Sequence, residues 1–84
     1  MPFFIGVHKF PQALSDEEIE GKWAKYKQSC ATLGIKPVKL HYNGAKASAF
    51  CETEASSEEE VTKAHEAAGL TVDEVIETKA AAKI

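Results

Sequence analysis

Positive charge is the first thing this sequence is short of. Acids and bases are interspersed and the net charge is −3, so no basic stripe exists to follow a phosphate backbone, and nucleic-acid binding is not expected. Cysteine is scarce as well. Cys30 and Cys51 are too few for a disulfide framework and lack CxxC spacing, which points to reduced thiols in a cytoplasmic protein. The apolar run within MPFFIGVHKF is too short to cross a bilayer and has no basic segment before it, so neither a membrane span nor a signal peptide is read there. No glycine-rich phosphate loop, HExxH, GxSxG or triad-like spacing occurs, which leaves no small-molecule substrate identified. Linkers, low-complexity segments and short-period repeats are also missing. The chain is one domain, residues 1–84, with 44% apolar and 27% charged residues, ordinary globular values. A domain of this size buries about 60 to 65% of its unfolded surface, so its core is thin.

The stretch Val38 to Glu54, VKLHYNGAKASAFCETE, organises the rest. Val38, Leu40 and Tyr42 alternate with Lys39, His41 and Asn43, as in a half-buried strand. Asn43-Gly44 is a strong hairpin signal. A turn there opposes Tyr42 to Ala45, whereas a turn at Lys46-Ala47 opposes Tyr42 to Cys51, and both registers stay open. Either way one face carries Val38, Leu40, Tyr42, Ala45, Ala47, Ala49, Cys51 and Thr53. The other carries Lys39, His41, Asn43, Lys46, Ser48, Phe50, Glu52 and Glu54. The small apolar face suits a covering helix; the face mixing His, Phe and carboxylates suits a site or a partner subunit.

Phe3 to Phe10, ending at Pro11, reads as a first strand. Its β-branched side, Phe3, Ile5 and Val7, is expected under the helices, which sends Phe4, Gly6, His8 and Phe10 to the open side. Ser15 with Glu18 forms a capping box. Ile19, Trp23, Tyr26, Cys30 and Leu33 follow at spacings of 4, 3, 4 and 3, one apolar stripe ended by Gly34. Pro37 opens the second strand. After the hairpin, Ser57 with Glu60 forms a second capping box, Val61, Ala64, His65 and Ala68 make a short stripe, and Gly69 stops the helix. Thr71 to Glu74 is expected as a single helical turn, Val75 to Lys79 as a last strand, and residues 80–84 as a fraying end. This order gives the α+β, ferredoxin-like βαββαβ plan, an antiparallel four-stranded sheet with two helices on one face. A bare sheet face holding Phe4, Phe10 and Phe50 calls for a homodimer that packs sheets face to face, a dimeric α+β barrel.

On this arrangement His8, His41, Glu52 and Glu54 share the open face, a mixed N/O donor set for Ni, Zn, Cu or Fe(II). The same residues also read as polar side chains that keep a sheet face wet. Cys51 and His65 fall on the covered side, as a soft metal site, an activated thiol or plain core. Cys30, Trp23 and Tyr26 read as core or interface. Two other functions stay open. One is an enzyme resembling the small dimeric α+β barrel monooxygenases and isomerases, with His41 and Glu52 as acid and base in a cleft between sheets. The other is a ligand-free interaction module.

Val7-His8, Phe50-Cys51 with Glu54-Ala55, His65 followed by Ala68-Gly69, and Asp73-Glu74-Val75-Ile76 stand in an order and spacing that resemble a known family. It is a small, widely distributed bacterial family of single ferredoxin-like domains, largely uncharacterised, whose best-described member is a dimeric nickel-binding protein. The resemblance spans Phe4 to Glu77. It implies a non-enzymatic homodimer that binds a divalent transition metal, nickel, with His8, Cys51, Glu54 and His65 at motif positions. His41 joins them as a further candidate ligand on a hairpin shorter than the family's. Two positions depart from the family pattern: Gly6, where an Asp is usual, and Ser56, where a Pro is usual.

Overall fold

The computed structural model describes residues 1–79 and 81. Its elements are β1 (Phe3–Lys9), α1 (Asp16–Leu33), β2 (Lys36–Asn43), a 3-10 turn (Gly44–Lys46), β3 (Ser48–Glu54), α2 (Glu58–Ala67) and β4 (Glu74–Thr78). Every pairing is antiparallel and the sheet order is β2-β3-β1-β4, the ferredoxin-like arrangement. Phe4, Cys51 and Ala55 from the sheet side pack with Tyr26 and Cys30 of α1 and with Val61 and Ala64 of α2. One sheet face is therefore covered and the other open. No helix among the described residues is long and apolar enough to cross a membrane.

Local chemistry sets the helix ends. The Ser15 hydroxyl accepts from the Glu18 N–H at 3.1 Å, and Glu18 accepts from the Ser15 N–H at 2.9 Å, the full reciprocal box. Gly34 then takes φ 74, left-handed backbone that a Cβ disfavours. In α2 the Ser57 hydroxyl accepts from the Glu60 N–H at 3.3 Å. The return bond differs from the expected one, since Glu60 accepts from Ser56 N–H at 2.8 Å rather than from Ser57. The α1 stripe buries Ile19, Tyr26 and Cys30 but leaves Leu33 exposed.

The hairpin takes neither expected register. Tyr42 opposes Ala49 and Asn43 opposes Ser48, so Ala45 and Ala47 belong to the connection. Asn43 spends its side chain capping the 3-10 turn, accepting from the Lys46 N–H at 3.1 Å. Gly44 docks against the loop before α1, where the Leu14 N–H donates to its carbonyl at 3.0 Å. A tertiary contact has displaced the local type I′ turn. The expected faces hold nonetheless for Leu40, Tyr42, Ala49, Cys51 and Thr53, while Val38 falls at a bulge between Pro37 and Lys39 and is exposed.

Strand β1 lies with the opposite face inward from the one expected. Phe4 opposes Thr53, Gly6 opposes Cys51 and His8 opposes Ala49, all on the covered side; Phe3, Ile5 and Val7 face the open side. The reason is room, because two helices descend on the middle of a small sheet and Gly6 permits an approach that Ile5 or Val7 would block. Phe4, at 2% exposure, is core, and Phe10 stacks near His8 with ring centroids 6.3 Å apart. The apolar part of the open face is instead Ile5, Val7, Phe50 and Ile76, the last two 38% and 42% exposed.

Thr71 to Glu74 forms no helical turn. The segment ties back to β1, with Asp73 N–H donating to the Val7 carbonyl at 2.9 Å and Asp73 Oδ2 accepting from Lys9 N–H at 2.6 Å. Apart from residue 81, the expected fraying end lies outside the described residues. The reciprocal cap at α1 makes a direct forecast: Ser15→Ala should lower unfolding free energy by about 0.5 to 2 kcal/mol in chemical denaturation. An unchanged midpoint would show that the box adds nothing to the helix start.

Candidate metal centre

Three elements bring one donor each to the covered face. Cys51 stands on β3 directly across from Gly6, His8 lies two residues further along β1, and His65 comes down from α2. The His8 Nε2 and His65 Nε2 atoms each lie 3.5 Å from Cys51 Sγ, and the three donor atoms are all within 4.8 Å of one another. Cys51 and His65 are buried; His8 is half-buried.

The far side of each imidazole decides what the near side offers. His8 Nδ1 is 3.0 Å from the Thr71 carbonyl, and His65 Nδ1 is 2.8 Å from the Val61 carbonyl within its own helix. A carbonyl only accepts, so both Nδ1 atoms carry hydrogen and both Nε2 atoms present a lone pair. These lone pairs face a thiol that has one proton. Only one of them can receive it, and in every arrangement of hydrogens one imidazole acceptor faces Cys51 without a donor from it.

Burial keeps the three groups uncharged. Desolvation holds His65 down to about 4, with His8 nearby lowering it further and the Val61 bond opposing. Desolvation also lowers His8, against its bond to Thr71 and the charge of Asp73. The Cys51 thiol is pushed up to about 11, again by burial. An activated cysteine needs the reverse, a depressed thiol beside a protonated imidazole, so the nucleophile alternative loses its basis.

The donor set fits a transition-metal ion. Two neutral imidazole nitrogens and one sulfur suit Zn, Cu or Ni, and ring N–H groups bonded to backbone carbonyls are the outer contacts that hold metal-binding histidines in one tautomer. Tyr26 adds rigidity from α1. Its ring lies 4.2 Å from that of His65, and its hydroxyl meets Thr53 Oγ1 at 2.6 Å.

The remaining candidates stand elsewhere. His41 opposes Phe50 and is exposed on the open face. Glu54 is on that face too, 3.7 Å from the terminal ammonium of Met1, and Glu52 opposes Lys39. The expected open-face set of His8, His41, Glu52 and Glu54 does not assemble, because the inverted β1 carries His8 to Cys51 and His65. Gly6 stands out in the sequence only as a departure from the family pattern, and its close packing against Cys51, like the carbonyls of Val61 and Thr71, was not legible there. A small residue opposite Cys51 was the available signal for the first; nothing local marks the carbonyls.

The family described as nickel responsive protein SCO4226-like has a model that matches residues 4–78. The chain belongs to this family. The crystal structure of SCO4226 from Streptomyces coelicolor A3(2) is similar in fold, with a TM-score of 0.87 at 21% identity over 95% of this chain and 99% of that one. No curated protein matches the chain. At Gly6, the position where the family resemblance leads one to expect Asp, an added Cβ would stand 2.6 Å from Cys51 Sγ, closer than packed atoms tolerate. A side chain at residue 6 and the present placement of Cys51 exclude each other.

Gly6→Ala should therefore destabilise by about 1 to 3 kcal/mol as the thiol is displaced, and most of that loss should vanish in a Cys51→Ala background. A double-mutant cycle by urea denaturation reads the coupling. Additive effects would mean that the close approach is not what residue 6 controls.

Proposed function

We propose that the protein binds a divalent transition-metal ion between His8 Nε2, Cys51 Sγ and His65 Nε2, with nickel as the ion. The observation that carries this is the convergence of two unprotonated imidazole nitrogens on a thiol with a single proton. A cation satisfies all three donors at once, which no placement of that proton achieves. Nickel is favoured over zinc and copper because the family is described as nickel responsive; the donor types accept all three. Binding, rather than catalysis, is the role we assign. Cys51 must be reduced to serve, as a cytoplasmic setting provides.

Elemental analysis and calorimetry on untagged protein test this. Saturable binding of one Ni²⁺ or Zn²⁺ per chain is expected. His8→Ala, Cys51→Ala and His65→Ala should each weaken binding roughly 10- to 100-fold or more, with His41→Ala and Glu54→Ala neutral. Because the thiol sits at about 11, binding near pH 7 must release its proton, and apparent affinity should rise about tenfold per pH unit between pH 7 and 9. The imidazoles are held below their ordinary value, so they keep their lone pairs as pH falls somewhat below 6.5. Absence of saturable binding at neutral pH would overturn the proposal.

We also propose a homodimer through the open sheet face. Ile5, Val7, Phe50 and Ile76 form an apolar strip there, and a second copy meeting it about a two-fold axis would remove that strip from water. Light scattering at micromolar concentration should report twice the 9.1 kDa chain mass, and Phe50→Glu with Ile76→Glu should halve it without changing metal affinity. A monomer for the unaltered protein would end this part of the proposal.

A further inference from the structure

A cavity of about 170 Å³ opens beside the three donors, and His8, Cys51 and His65 form part of its lining. The rest of the wall is mostly apolar and aromatic: Phe10, Trp23, Tyr26, Leu40 and Leu70 are prominent, with Ile19 and Ala49 beside them. A site meant only to hold an ion needs no such space. A water molecule takes about 30 Å³ of liquid volume, and a dry cavity of about 150 Å³ accepts benzene, so this one has room for an apolar body of about six or seven heavy atoms.

Charge narrows the chemistry. Two neutral imidazoles and one thiolate leave a divalent ion with one net positive charge, and three protein donors leave it able to take a further ligand. Among the described residues, Lys22, on α1, is the one lining residue outside the donor set with a charged side chain, and it is positive. The carboxylate whose charge bears on His8 is that of Asp73. Its Oδ2 is engaged by the Lys9 N–H at 2.6 Å, and it does not line the cavity.

We propose that this cavity is a binding site for a small organic acid with an apolar or aromatic body, whose carboxylate reaches the space between His8, Cys51 and His65 while its body packs against Trp23, Leu40 and Leu70. The proposal rests on the metal site above and adds its ligand. Lys22 contributes long-range attraction at the mouth, and the apolar wall selects against small hydrophilic anions. The class is thus a carboxylate too large for the ion alone to recognise and small enough to be enclosed.

Co²⁺ and benzoate provide the test. Co²⁺ loading should give a sulfur-to-cobalt charge-transfer band, which reports Cys51 independently of any organic ligand. Benzoate should then shift the cobalt ligand-field bands saturably. Acetate should bind at least tenfold more weakly, since it lacks the ring that the wall buries and each buried carbon is worth a several-fold factor. Benzylamine should not bind. Lys22→Glu, a change on an exposed helix position, should weaken benzoate roughly 3- to 10-fold while leaving the charge-transfer band intact. A charge-transfer band with no benzoate response, or with benzoate no better than acetate, overturns the cavity proposal and leaves the metal site standing. Failure of the band itself overturns both.

Discussion

The close approach of Cys51 to Gly6 is the constraint on which the rest depends. With no side chain at residue 6, the thiol of β3 lies flat over β1, and α2 can settle low enough for the His65 ring to reach it. Tyr26 then closes over His65 from α1. Any larger residue at the centre of β1 would lift this stack, and with it α2, whose Val61 and Ala64 are buried in the same core.

The same packing explains the electrical character of the site. Groups so well buried are driven to their neutral forms, and the carbonyls of Val61 and Thr71 select which nitrogen of each ring carries hydrogen. The result is a cluster of three weak, uncharged donors. Such a cluster has little affinity for a further proton on its imidazoles, holds the thiol proton firmly, and has a geometry suited to a cation that can displace that proton. Low basicity of the imidazoles and high basicity of the thiol are two consequences of one cause, removal from water.

The sheet separates two surfaces of different character. Its covered face carries the donors and the cavity, and its open face carries Ile5, Val7, Phe50 and Ile76 beside charged residues. A partner on the open face leaves the cavity unobstructed, because its lining comes from the helix-covered side of the sheet and from the loops beside it. The proposed self-association and the proposed ligand binding are then independent in structure, unlike the enzyme arrangement in which a cleft forms between two sheets.

By itself the sequence determined what depends on neighbouring residues. The Ser15–Glu18 box, the stop at Gly34, the α1 stripe through Ile19, Tyr26 and Cys30, and the faces of Leu40 to Tyr42 and Ala49 to Thr53 are all local, and so is the order of elements that yields the ferredoxin-like plan. The pair Cys51 and His65 was also legible, since both fall on apolar faces. Only tertiary structure decided which side of β1 turns inward. Phe3, Ile5 and Val7 alternate with Phe4, Gly6 and His8, either set is apolar enough for a core, and no local energy distinguishes them. Steric room for α2 and Cys51 settled the choice in favour of Gly6, and that choice moved His8 from the company of His41 and Glu54 to that of Cys51 and His65. The hairpin was decided likewise, because docking Gly44 against Leu14 outweighed the turn that Asn43-Gly44 would form alone.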